Sequence, residues 1–127
     1  MITALFNQPS YLAVKKMLDA TVLRQQAIAS NIANAETPNY KRLEVAPSFQ
    51  TELRQALAAR SPNQVAALQP RLQVDSTAVA RKLDGNTVQL ESELAQLGRN
   101  YVEHSLETQL VTGQLMRLRT AITGRST

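Results

Sequence analysis

The chain predicts a mainly α fold. Long N- and C-terminal helices pair as a coiled-coil-like inner domain, and a short irregular middle segment carries a short helix and a small β-segment. Three observations predict this. Residues near both ends recur at alternating steps of three and four, the seam of a helix that packs lengthwise on another. Pro47, Pro62 and Pro70 interrupt the region between, and proline is poorly tolerated inside helices. Aromatic residues are 4% of the 127 and Trp is absent, which is thin for a compact globule because aromatic bulk dominates core burial.

The organisation follows in order. Residues 1–9 read as a disordered tail ended by Pro9, and residues 10–35 as the N-terminal helix with Ser10 as its N-cap. Its seam is Val14, Leu18, Thr21, Gln25, Ile28, Ile32 and Ala35. Ala13, Ala20 and Ala27 form a parallel small-residue stripe, seven apart. That stripe reads either as close approach by a neighbouring element or as plain helix propensity.

Residues 36–86 hold the turn and the irregular middle. Pro47-Ser48-Phe49 opens a short helix carrying Phe49, Leu53 and Leu57, and Leu72 and Val74 alternate with polar residues as a β-segment does. Few core-forming residues occur here, so partial order is expected in an isolated subunit. Asp84-Gly85 reads as a turn, and Asn86 with Gln89 as an N-cap and its reciprocal partner. The C-terminal helix then spans 87–123, with Gly124 as its stop and 124–127 as a tail. Its seam is Leu90, Leu94, Leu97, Tyr101, His104, Thr108, Val111, Leu115, Leu118 and Ile122. At 1.5 Å per residue this helix exceeds the first by about 16 Å. Its overhang, and the apolar Val102, Leu106, Leu110 and Met116 off the seam, favour packing between subunits over a self-contained three-helix globule.

Several function classes drop out. No cysteine exists for a disulfide, thiolate metal site or thiol nucleophile. The one histidine, His104, sits in a seam, where packing is its expected role. Glu103 and Glu107 read as solvated charge or as partners of Arg99. No phosphate loop, HExxH or GxSxG occurs, so neither catalysis, a cofactor nor a metal is expected. The net charge of +4 comes from scattered basic residues without interleaved aromatics, a poor pattern for nucleic acid. No apolar run is long enough to span a bilayer, and the first residues lack the features of a cleaved secretory signal.

The most informative stretch is 29–42. It holds Ser30, Asn31, Asn34, Thr37, Pro38, Asn39, Tyr40, Lys41 and Arg42. Asn31 and Asn34 are placed to bond backbone groups at the fraying helix end. Pro38 disfavours helix at Thr37 and redirects the chain. Asn39 tolerates positive φ, and Tyr40 anchors the exit by burying its ring. Lys41 and Arg42 are expected to pair with acidic groups of the next subunit; the whole cluster also reads as an intramolecular cap.

The run from Ser30 to Arg42 resembles the N-terminal signature of bacterial flagellar rod and hook proteins, with Asn39 where that family usually has glycine. The signature covers about a tenth of the chain. The short middle and the Asp84-Gly85-Asn86-Thr87-Val88 approach to the last helix look most like proximal-rod members. The resemblance implies a structural subunit of the flagellar basal-body rod. Such a subunit self-assembles through its terminal helices around the export channel and transmits torque. It implies partners: copies of itself, other rod proteins (FlgC-, FlgF- and FlgG-like), and a FliE-like adaptor and the export gate at the rod base. It also implies a periplasmic location reached through the flagellar type III system without a cleaved signal. The assembly seam would comprise Val14, Leu18, Ile28, Ile32, Leu90, Leu94, Leu97, Tyr101, Val111, Leu115, Leu118 and Ile122. A cytoplasmic coiled-coil adaptor or export chaperone is the alternative.

Overall fold

In the computed structural model, residues 8–124 are described; the expected tail at the N-terminus lies almost wholly outside them. The elements are α1 (Pro9–Ala33), β1 (Leu43–Val45), α2 (Ser48–Ala58), α3 (Pro62–Ala67), β2 (Leu72–Val74) and α4 (Leu90–Thr123). The fold is mainly α, as the sequence predicts. The two terminal helices pair along their length, with the short α2, α3 and a two-stranded sheet between them in sequence.

α1 is the central element. It begins at Pro9, not behind Ser10 as the cap reading had it: Gln8 is the N-cap and Pro9 occupies the first turn, where its missing N–H costs nothing. Ala13 and Ala20 on α1 form the core with Phe49, Leu53, Ala56 and Val65, with Leu12, Leu57 and Leu68 around it. Two of the three stripe alanines, Ala13 and Ala20, therefore serve close approach: with no bulk beyond Cβ, they let α2 and α3 settle on α1. Burying Phe49 or Leu53 contributes about 1.5–3 kcal/mol each.

The middle segment is more fully built than its composition suggests. Leu43, Glu44 and Val45 pair antiparallel with Val74, Gln73 and Leu72 respectively, and β1 packs against α1. The helix around Phe49 and the strand at Leu72–Val74 form where the sequence patterns placed them. Ser61 caps α3 through its side-chain oxygen, which accepts from the Gln64 N–H at 3.3 Å.

α4 runs antiparallel to α1, because Glu93 meets Asn31, Glu103 meets Arg24 and Glu107 meets Thr21. It starts at Leu90 with Gln89 as N-cap, so the Asn86 cap does not form; Asn86 is engaged elsewhere, as described below. Gly124 ends α4 in the left-handed conformation at φ 63°, its N–H donating to the Thr120 carbonyl. α4 is nine residues longer than α1, about 14 Å of helix. Among the described residues no helix is long and apolar enough to cross a membrane.

Candidate assembly surface and signature joint

The signature folds into a hydrogen-bonded joint. As α1 runs out at Ala33, Asn34 Nδ2 donates to the Ser30 carbonyl at 2.8 Å. Thr37 Oγ1 donates to Asn34 Oδ1 at 3.2 Å. Pro38 and Asn39 turn the chain, with Asn39 at φ 59°, where asparagine is among the few tolerated residues. Gly85 packs so closely that a Cβ there would sit 2.6 Å from Asn39 Oδ1. The Asp84-Gly85 turn thus needs glycine both for its φ of 76° and for its neighbour. The Tyr40 ring is half-buried, and its hydroxyl lies 2.9 Å from Ser30 Oγ and donates to Asn31 Oδ1 at 3.2 Å.

Asn31 is fully buried and works as a surrogate strand. Its Nδ2 donates to the Leu43 carbonyl at 2.9 Å, and its Oδ1 accepts from the Leu43 N–H at 2.8 Å. That two-bond ring docks β1 onto the end of α1. Asn86, also buried, closes the joint from the other end of the chain. Its Nδ2 donates to the carbonyls of Asn34 (2.9 Å) and Thr37 (2.8 Å), and its Oδ1 accepts from the Val88 N–H at 2.7 Å. The backbone joins in: Asn39 N–H donates to the Asp84 carbonyl and Thr87 N–H to the Tyr40 carbonyl. Sequence reading put Asn86 on a helix start because a short polar residue before Gln89 fits that pattern; its long-range partners leave no local trace.

Within the chain, Lys41 and Arg42 both find partners. Lys41 Nζ donates to the Gly85 carbonyl at 2.9 Å. Arg42 reaches Glu93 through Nε, Asp75 Oδ2 through Nη1 at 2.9 Å and Gln96 Oε1 through Nη2 at 3.0 Å. Burial by itself would lower the Arg42 pKa, but the bonds and charges of Glu93 and Asp75 outweigh it and raise it. Asp75 is likewise pulled below the usual carboxylate range. Burial opposes that shift, and bonds from the Thr77 side chain and backbone, with Arg42, overcome it. The reason is reach: Asn31 fixes Leu43, and the preceding guanidinium then lies against α4.

The α1–α4 contact departs most from the seam reading. The buried residues of α4 are Glu93, Asn100 and Glu107, at 0%, 2% and 6% exposure. They are spaced by seven, a stripe that stays on one helix face. Asn31 Nδ2 donates to Glu93 Oε2 at 3.2 Å. Asn100 Nδ2 donates to the Thr21 carbonyl (3.0 Å) and Gln25 Oε1 (3.1 Å), and its Oδ1 accepts from Arg24 Nη1 at 3.4 Å. The Thr21 hydroxyl donates to Glu107 Oε2. Every buried side-chain polar atom among the described residues has a hydrogen-bond partner.

On α1 the predicted seam does meet α4, since Thr21 and Gln25 belong to the ladder; on α4 the predicted seam lies largely beside it. Leu90, Leu94, Tyr101, Leu115 and Ile122 are exposed, Leu94 at 53% and Tyr101 at 73%. Leu97, Val111 and Leu118 are half-buried, as are Val14, Leu18 and Ile32, whereas Ile28 is buried. His104 is exposed and is not packed as the seam reading held. Val102, Leu106, Leu110 and Met116 are exposed too. Glu103 is the solvated surface charge expected, with Arg24 at 2.9 Å as its partner; Glu107 is interior and is not. The spacing of seven from Glu93 to Glu107 was visible in the sequence, but polar residues are ordinarily assigned to the solvent side of a helix.

Glu107 titrates above the usual carboxylate range. Burial is the main cause; Glu103 adds to it, while the Thr21 bond, Arg24 and His104 oppose it. The Thr21 hydroxyl also lies 2.9 Å from the Met17 and Leu18 carbonyls, and its one proton serves one acceptor at a time. For an acid whose folded pKa is raised, the stabilising contribution is complete below the unfolded value, about 4.3. It is lost as pH rises through the folded value. The melting temperature of the wild type, measured relative to Glu107→Gln, should therefore fall between acidic and neutral pH. Parallel melting profiles for the two proteins would refute this.

The joint and the paired terminal helices place the chain in a class. A family model described as flagella basal body rod protein matches residues 18–41, the second half of α1 and the turn. The chain belongs to the flagellar basal-body rod protein family. Within it, the chain is similar along most of its length to the rod protein FlgB. It is 30% identical to that of Borrelia hermsii over 113 residues, 75% of this chain and 82% of the relative. It is 27% identical to that of Escherichia coli K12 over 80% of this chain and 83% of the relative. The Bacillus subtilis protein is 26% identical over 87% and 91%.

Proposed function

We propose that this chain is a subunit of the proximal rod and packs laterally, through its terminal helices, against copies of itself and other rod proteins. The observation that carries the reading is the exposed strip of Leu90, Leu94, Tyr101, Leu115 and Ile122 along one long helix. Large apolar side chains exposed along one face of a helix mark an interaction site. Open, non-closing contacts of one chain with its copies generate helical tubes. In that setting the tube surrounds the export channel and carries torque, and the joint fixes the angle at which the chain leaves α1. The base of the rod would meet a FliE-like adaptor and the export gate, and the subunit would arrive through the type III apparatus without a cleaved signal.

The test separates assembly from folding. Leu94→Asp and Leu115→Asp alter side chains already in contact with water, so the circular dichroism spectrum and melt of the purified monomer should be unchanged. Buried against a neighbour, the new carboxylate would cost several kcal/mol, and incorporation into basal bodies and swimming should be lost. Normal swimming in both strains would remove the strip from the account. If the protein instead stayed in the cytoplasm with no basal-body fraction, the adaptor or chaperone reading would take its place.

A further inference from the structure

The polar ladder has a consequence for the orientation of α4. At 3.6 residues per turn, Leu94, Leu97 and Tyr101 lie about 60–120° around the helix from Asn100. Turning α4 by that angle would bring the leucine strip onto α1 and hide it. Apolar burial favours that turn. The turn would also strip Glu93, Asn100 and Glu107 of Asn31, Arg24, Gln25 and Thr21, and would expose the Arg42 bond to Glu93 to water. Single polar residues in an otherwise apolar seam are known to fix helix orientation at a cost in stability.

We propose that Glu93, Asn100 and Glu107 act together as an orientation lock: they make the intramolecular face of α4 polar, which keeps its leucine face outward. The lock rests on hydrogen-bond matching with α1 and operates in the monomer. It deepens the assembly reading by explaining how a chain with so little aromatic bulk avoids satisfying its own leucines before it meets a neighbour.

The absence of cysteine gives a clean test. Tyr101→Cys places a single thiol on the outward strip, where a maleimide should react with it rapidly. Thr21→Val, Glu93→Leu, Asn100→Leu and Glu107→Leu, combined in that background with Arg42→Leu so that no charge is stranded, make the contact apolar and release all three members of the lock. The expected result is an unchanged or higher melting temperature and maleimide labelling slowed by about tenfold or more as the strip turns inward. Asn100→Leu alone should move both readouts the same way by less. Unchanged labelling overturns the proposal. A fall in helicity or melting temperature also overturns it, because the ladder would then be an ordinary stabilising contact. The labelling arm needs no assembly. If the Leu94→Asp and Leu115→Asp strains swim while labelling is protected as expected, the lock stands and the role of the strip in the rod fails.

Discussion

Replacing Arg42 with alanine should cost about 3–5 kcal/mol of stability, the typical loss on breaking a buried ion pair from one side. The Arg42 side chain is 13% exposed and that of Glu93 is fully buried. Without Arg42, Glu93 keeps only Asn31, at 3.2 Å, and a buried carboxylate so poorly compensated is expensive. Asp75 suffers less, because Thr77 still donates to it from N–H and hydroxyl. Arg42→Lys should fall between: an ammonium keeps the charge but lacks the planar fork that serves Glu93, Asp75 and Gln96 together. Arg42→Leu with Glu93→Leu should recover much of the loss, since a well-packed apolar pair can replace a buried ion pair. Urea denaturation followed by circular dichroism measures all three.

The same variant has an acid-side signature. Asp75 has a lowered pKa, so its contribution to stability is present above its unfolded value and is lost as pH falls through its folded value. Part of that depression comes from Arg42, so the acid-side decline should be shallower in Arg42→Ala than in the wild type. An Arg42→Ala protein as stable as the wild type would mean that the hub is dispensable and that other contacts hold β2 to α4.

The terminal helices were legible because their signal is local and repetitive: steps of three and four persist over many turns. The helix around Phe49 and the strand at Leu72 were legible for the same reason. What could not be read was which face of α4 meets α1. The apolar repeat marks the face that gains most from burial, whereas the intramolecular face of α4 is set by its hydrogen-bond partners on α1. Leu94 and Tyr101 therefore stand out in solvent, while Glu93 and Asn100 turn inward. The signature was legible as a turn, including the tolerance of Asn39 for positive φ. Its closure was not, because Asn86 and Arg42 meet partners more than 30 residues away, and a polar side chain carries no sequence mark of a distant acceptor.

Asn31→Ala should be the second most damaging single change described here, at about 2–4 kcal/mol, because it strands several buried groups that each cost about 1–3 kcal/mol when unpaired. The methyl group can supply neither the acceptor for the Leu43 N–H nor the donor for its carbonyl. It also leaves Glu93 with Arg42 as its remaining donor and the Tyr40 hydroxyl with Ser30 alone. Asn31→Asp isolates the chemistry from the shape. An ionised aspartate keeps the acceptor for the Leu43 N–H but turns an oxygen toward the Leu43 carbonyl and the Glu93 carboxylate. It should be at least as destabilising as alanine at neutral pH, since like charges are forced together in a buried site. Protonation restores a donor, so Asn31→Asp should regain stability on mild acidification while Asn31→Ala should not. Equal acid responses in the two variants would show that Asn31 acts through packing alone. A difference would establish that the strand-like pair with Leu43 holds the exit of α1, and with it the angle at which the chain leaves the helical hairpin.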